Sequence, residues 1–586
     1  MATHFSDLEA LADHAGFGQL TAGECKLLRG AYGGDYVCCG PTDNHKDPSN
    51  NPAHSSDWGN EREVRADLIR WLLTRPEAAS RVHPTGIFLR GASITGVLNL
   101  SFVEVPVPLT FRQCHLRDAM WLIGTWIPFL DLAGSRVRAI TADGATFRHS
   151  VFLVDGFAAE DGVRLANAHI GGDLACVRGT FGTQLESGTQ GLRHALNAEG
   201  AQVARHVFLN NGFVSNGEVW LLGLQAGGDL NCGGGTFCNP HEERRTKTGE
   251  PLQPNVLSAD RANIEGGVFL NAGFSASGEV RLLHAQIGGD LQCDGGKFRL
   301  LKLQSATVKG NLFLDQVHEP RGMTVDLRNA SADTLYDSEV SWPSQGNLYL
   351  DGFVYRHISS RCTDAVKRLQ WLGRQGESPP EPSLSSDHMT CDMADSRARR
   401  HPEFKGQPYR QLAKVLREMG DDRGARRVLY AMEGVRQNLG GASLRSRTWS
   451  WVLKATIGYG YYPGWAVWWI VGLAVLGTAI FHVGYRAGLM TPADKEAYTY
   501  YQKHAEPPPY YQHFNSFIYS LENSVPVLKL GQDSNWTPDP ATPASPRGRW
   551  VTWPSFLRIF RWFQIVFGWI FATFFIAGAT GLVRKE

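Results

Sequence analysis

One seven-residue string, Ile170-Gly171-Gly172-Asp173-Leu174-Ala175-Cys176, returns as Ala226-Gly227-Gly228-Asp229-Leu230-Asn231-Cys232 and again as Ile287-Gly288-Gly289-Asp290-Leu291-Gln292-Cys293. Each copy is followed five residues after its Cys by Phe181, Phe237 or Phe298. Each is preceded by a Val-Phe-Leu triplet that begins nineteen residues earlier, at Val151, Val207 or Val268. Self-similarity at fixed spacing marks a stacked-repeat architecture. Short Leu/Val/Phe strands with Gly, Asn and Asp between them are what a parallel β-solenoid needs, because equivalent apolar residues stack inward and corners require small or φ-permissive types. Weaker copies extend the array from Ile87-Phe88-Leu89-Arg90-Gly91-Ala92 to Asn347-Leu348-Tyr349-Leu350. The expected fold is therefore a parallel β-solenoid, a right-handed, pentapeptide-repeat-like β-helix over 85–355, with Asn239 to Asn255 as a loop bulging from one corner.

This reading assigns structural roles to residues that would otherwise suggest chemistry. Cys176, Cys232 and Cys293 occupy equivalent places and are expected to form an inward ladder; a metal or redox chain is the alternative, but no local ligand pair accompanies them. Asp173, Asp229 and Asp290 are expected to cap corners, since the nine-residue calcium-binding repeat is absent. The Gly-Gly pairs are read as corners and not phosphate loops, because no helix follows them. Residues 1–84 are expected to cap the open end through a helix, Glu61 to Thr74, with Val64, Leu68, Trp71 and Leu72 on one face. Cys25, Cys38, Cys39 and His45 are the nearest thing to a metal cluster, in a spacing that fits no zinc pattern.

After the solenoid, 356–445 reads as a helical linker: Thr363 to Arg374, a Ser/Pro/Asp stretch from Gly376 to Ser396 with the composition of a mobile segment, then Gln407 to Asn438 as one tetratricopeptide-like hairpin turning at Gly420-Asp421-Asp422. The last part, 446–586, contains two uncharged apolar runs, Trp465 to Val483 and Phe563 to Val583. Each reaches about 28 Å or more as a helix, close to the thickness of a bilayer's hydrocarbon core. Trp465, Trp468, Trp469, Trp562 and Trp569 suit the interfacial belts. Arg445, Arg447 and Lys454 before the first run, with Arg584 and Lys585 after the second, place both ends in the cytoplasm; Arg547, Arg549, Arg558 and Arg561 pull the other way. Gly568/Ala572 and Ala577/Gly581 place small residues four apart, a spacing that lets membrane helices pack closely between neighbouring hairpins.

Between the runs, Phe514 to Gln532 reads FNSFIYSLENSVPVLKLGQ. Phe514, Ile518, Leu521 and Val525 fall on one face of a short helix that Pro526 ends. Two placements are open: an amphipathic helix on the outer membrane surface, or a re-entrant pore loop over 511–532. The element order resembles that of two-span tetrameric ion channels, which implies Glu522, Ser524, Val527, Leu528, Lys529, Leu530, Gly531 and Gln532 as pore-lining candidates, with Glu522 as a charged ring and carbonyls around Leu530 and Gly531 as an ion path. Thr456-Ile457-Gly458-Tyr459-Gly460 matches the potassium-filter pattern T-x-G-Y-G but precedes the first run, so a juxtamembrane turn is expected there.

With 58 Lys and Arg against 57 Asp and Glu, the chain shows no global bias toward nucleic acid, and no basic aromatic platform is visible. The N-terminal MATHFSDLEALADHAGF has no cationic start followed by an apolar run, so no signal peptide is expected. The ten cysteines include no CxxC pair and are expected to be free thiols. The repeats, the QPYRQLAKVLREMGDDRGARRVL hairpin, the GYGYYPGWA segment and FGWIFATFFIAGATGLVRK together resemble a bacterial family named membrane-associated oxidoreductase. By its name alone, that resemblance adds a membrane-associated oxidoreductase as a further alternative. The residues supply no G-x-G-x-x-G after a strand, no paired His for haem, no G-x-S-x-G and no H-E-x-x-H, so neither a cofactor nor catalytic residues are assigned. The expected function is a homo-oligomeric ion channel or gated pore of four or five copies in the inner membrane, with a cytoplasmic solenoid that meets a ligand or protein. The alternative is a non-conducting membrane-anchored scaffold.

Overall fold

The computed structural model describes the chain except residues 1, 45, 183–193, 241–243, 246–250, 360–361, 377–403, 440–443, 526, 540–552 and 581–586. His45, Pro526, Gly581, Arg547, Arg549, Arg584, Lys585, almost all of the Gly376–Ser396 stretch and most of Thr537–Pro546 therefore lie outside the described residues. Two compact units form, Met1–Arg397 with Gln407–Ala425, and Ala398–Gly406 with Arg426–Glu586.

In the first unit the repeats build a parallel β-solenoid of about eleven turns. A turn carries four short strands, for example Val163–Arg164, His169–Ile170, Leu174–Ala175 and Thr180–Phe181. The register explains the two sequence motifs. Leu174 pairs with Val151 on one side and with Val207 on the other, so the Val-Phe-Leu triplet and the Asp-Leu-x-Cys string are the same strand in alternate turns. The sequence repeat thus spans two turns. The cysteines accordingly do not stack on one another: the inward column reads Leu153, Cys176, Leu209, Cys232, Leu270, Cys293, and all six are buried. A Leu between each pair fills the volume that a run of small thiols would leave empty. A second column, Phe157, Phe181, Phe213, Phe237, Phe274 and Phe298, stacks with ring centroids 5.1–5.4 Å apart.

The corner acids cap as expected, and they do so between turns. Asp173 Oδ1 accepts from the backbone N–H of His206, Asp229 Oδ1 from Gly267, and Asp290 Oδ1 from Asn311, at 2.8–3.1 Å. The Gly-Gly pairs serve close approach and not left-handed backbone. A Cβ at Gly171, Gly227 or Gly288 would stand 2.2, 2.4 or 2.1 Å from a carbonyl oxygen of the previous turn. Positive φ falls elsewhere, at Asn167, Arg178, Arg261 and their equivalents. The loop at Asn239–Asn255 is clamped at its base by Asn239 Nδ2 donating to Asn255 O, and it carries a small antiparallel pairing of Arg244–Arg245 with Pro251–Leu252.

Both ends are capped. Val37–Cys38 pairs with Leu89–Arg90 and Glu63–Arg65 pairs with Ser93–Thr95, which uses the edge hydrogen bonds of the first turn. The expected Glu61–Thr74 helix starts later, at Ala66: the preceding residues are drawn into that pairing, and Val64 is buried from a strand. Arg65 grips the buried carboxylate of Glu24 through Nε and Nη2 at 2.6 and 2.7 Å. At the far end, Ala365–Leu372 brings Arg368 onto Asp337 in a wholly buried pair, with the guanidinium 5.2 Å from the Trp371 ring. Gln407 and Gln411 of the helix Gln407–Glu418 then bond to Gly352 N, Phe353 O and Tyr355 O, seating that helix on the last turn.

In the second unit, Gly464–Arg486 and Trp553–Ala579 are helices long and apolar enough to cross a membrane. They pack antiparallel along their length: Pro463 lies by Gly578, Trp469 stacks on Phe571, Phe481 meets Phe560 and Leu557 fits against Gly484. The Thr456–Gly460 string ends the helix Leu444–Ile457 in a tight turn, as expected. Gly458, Tyr459 and Gly460 all have positive φ, and Tyr459 Oη donates to Gln437.

Candidate functional site: a helix and loop held between the apolar helices

Ser516–Ser524 is a helix whose first turn is capped by Asn515 Oδ1, which accepts from the N–H groups of Phe517 and Ile518. It does not lie across the ends of the apolar helices. Ser520 Oγ donates to Ala474 O, halfway along the first, at 2.7 Å. Gln564 Nε2, near the middle of the second, donates to Ser520 Oγ and Ser524 Oγ, both at 2.7 Å. Gly568 lets the Ser524 carbonyl come so near that a Cβ would be 2.3 Å from its oxygen. Further out, Phe514, Tyr519 and Trp536 pack with Phe481 and Tyr485. The segment therefore descends from the level of Tyr485 to that of Ala474, about 16 Å at 1.5 Å per residue, and returns to Trp536.

The apolar face, Phe514, Ile518, Leu521 and Val525, is half-buried, and the polar side of the helix is buried more deeply. Tyr519, Ser520, Glu522, Asn523 and Ser524 are buried, Ile518 and Leu521 are half-buried, and Phe517 is 53% exposed. Polar residues face inward here because small hydroxyls return their hydrogen bonds to nearby carbonyls and let backbones approach. An amphipathic surface helix would have the opposite polarity.

The loop back is organised by one carboxylate. Glu522 Oε1 accepts from the N–H groups of Leu530 and Gly531 at 2.9 and 3.1 Å, and Oε2 from Gln532 and Asp533 at 2.9 Å each. Gly531 turns the chain there with φ of +86°. The side chain expected as a free charged ring is thus buried behind its own loop, because four unpartnered N–H groups are a stronger sink for a carboxylate than open space. Gln532 likewise faces inward, accepting from Asn515 N and donating to His513 O. Ser524 is buried as well, donating to Ser520 O. Arg561 bonds Asn523 and pairs with Asp533. Of the sequence candidates, Val527, Leu528, Lys529 and Leu530 are the exposed ones, Val527 at 87%. Among the described residues, the carbonyls of these four accept no hydrogen bond.

Gly568 belongs to this docking and not to a free interface, whereas Ala572 and Ala577 are half-buried. Sequence reasoning passed over Gln564 and Ser520, and weighed Arg561 only as a charge bearing on topology. Gln564 carried the available signal, an amide at the start of an apolar run, and the structure buries it wholly. No protein-family profile matches this chain, and no curated protein or solved structure does.

Proposed function

We propose that this chain is a homo-oligomeric ion channel of the inner membrane, with both ends and the solenoid in the cytoplasm. The observation that carries the reading is the docking of Ser516–Ser524 at mid-length of both apolar helices with its polar side inward. Irregular backbone at that depth is tolerated only where protein buries it or where it borders water. The loop 527–530 is exposed on a single copy, which leaves it free to meet the same loop of other copies. Four or five loops around an axis, with their uncommitted carbonyls, would border an ion path. The solenoid would act as sensor or scaffold: a ligand that prefers one conformation of the chain biases the pore toward it. The test is native mass in nanodiscs followed by ion flux from reconstituted vesicles. A closed ring that conducts supports the channel. A monomer, or a ring without flux, overturns it and favours a membrane-anchored scaffold.

A further inference from the structure

We propose that the pore carries small inorganic anions and that Lys529 is the residue that selects them; this rests on the channel reading above. The depth of Lys529 follows from Glu522. Glu522 belongs to the helical turn between Ser520 and Ser524, which touch the middle of the two apolar helices, and its carboxylate bonds the N–H of Leu530, one residue from Lys529. An ammonium held there against lipid costs about 2.5–3.5 kcal/mol in each copy. Water in a shared path removes that cost.

The charges around it decide the sign. Glu522 is spent on four backbone N–H groups and Asp533 on Arg561. Among the described residues Lys529 has no carboxylate partner, and its side chain is exposed on the single copy. The C-terminal end of Ser516–Ser524 adds about half a negative charge at this level and Glu522 keeps its own, but Glu522 is buried behind the loop, whereas Lys529 is exposed and is the charge a shared path would meet first. A ring of such lysines raises the local concentration of anions and repels cations, as basic rings do in anion pores.

The experiment is the reversal potential of the full-length protein in planar bilayers under a potassium chloride gradient. The expected result is a reversal potential near that of chloride, kept in Lys529→Arg and reversed in sign in Lys529→Glu, with ring mass unchanged in both. Should Lys529→Glu fail to assemble, Lys529→Gln is the substitute, expected to lose the preference without reversing it. A cation-selective wild type, or a reversal potential that neither Lys529→Glu nor Lys529→Gln moves, overturns the anion assignment and leaves the channel standing. A ring that never conducts overturns the channel reading and the inference with it.

Discussion

Each thiol of the inward column is wrapped by the leucines of the turns before and after it. Burial pushes Cys176, Cys232 and Cys293, and the equally buried Cys114 outside that column, well above the ordinary thiol range, because a thiolate has no solvation there. A raised folded value means that the unfolded chain gives up these protons first. Stability is therefore whole below about pH 8.5, where an unfolded thiol is protonated, and falls as pH rises above it, by up to about 1.4 kcal/mol per pH unit for each thiol. Urea midpoints measured from pH 7 to pH 10.5 should drop steeply, and replacing the four cysteines by Ala should flatten the alkaline slope while lowering stability at pH 7. Phe213 tests the other column. It is wholly buried between Phe181 and Phe237, with centroids at 5.1 and 5.3 Å, so Phe213→Ala should cost about 3–5 kcal/mol, read as a lower urea midpoint.

At the scale of elements, the short helix and its loop behave as one latch. Glu522→Gln keeps the shape but leaves one acceptor oxygen for four N–H groups and turns an amide donor on the rest, a loss of about 2–4 kcal/mol. Hydrogen exchange should quicken at residues 530–533 while the helices Gly464–Arg486 and Trp553–Ala579 keep their protection; unchanged exchange in the loop would contradict the geometry. Gly568→Ala acts from the other side, forcing a methyl against the Ser524 carbonyl, with an expected cost of about 1–3 kcal/mol and faster exchange in 516–524. The sequence made much of this level legible. Repeats, apolar runs and the tight turn at Gly458–Gly460 are written in local spacing, so one chain suffices to find them. Three things were not. The pairing of Val-Phe-Leu with Asp-Leu-x-Cys needs the register between turns, the late start of the Ala66 helix needs the edge strand it serves, and the inward polar face of Ser516–Ser524 needs the apolar surroundings that reverse the usual rule.

For the whole molecule, the channel reading requires a fixed topology, and the cysteine distribution provides the means to measure it. All ten cysteines precede the first apolar helix, so the part of the chain from Gly464 onward has none. Glu506 is exposed in the segment between the two helices, and a Glu506→Cys variant would carry the one thiol beyond the first crossing. In the channel reading, two antiparallel crossings would put Glu506 on the membrane side opposite the solenoid. A membrane-impermeant maleimide applied to spheroplasts should therefore label Glu506→Cys and leave the parent protein unlabelled. Inverted vesicles should give the reverse for Cys25 and Cys38, which are partly exposed in the solenoid unit. Labelling of the parent protein from outside would invert the topology and move the solenoid out of the cytoplasm. Labelling of Glu506→Cys only from the inside would mean that the apolar helices do not cross, and the docked helix would then be the core of a soluble unit with no ion path to line.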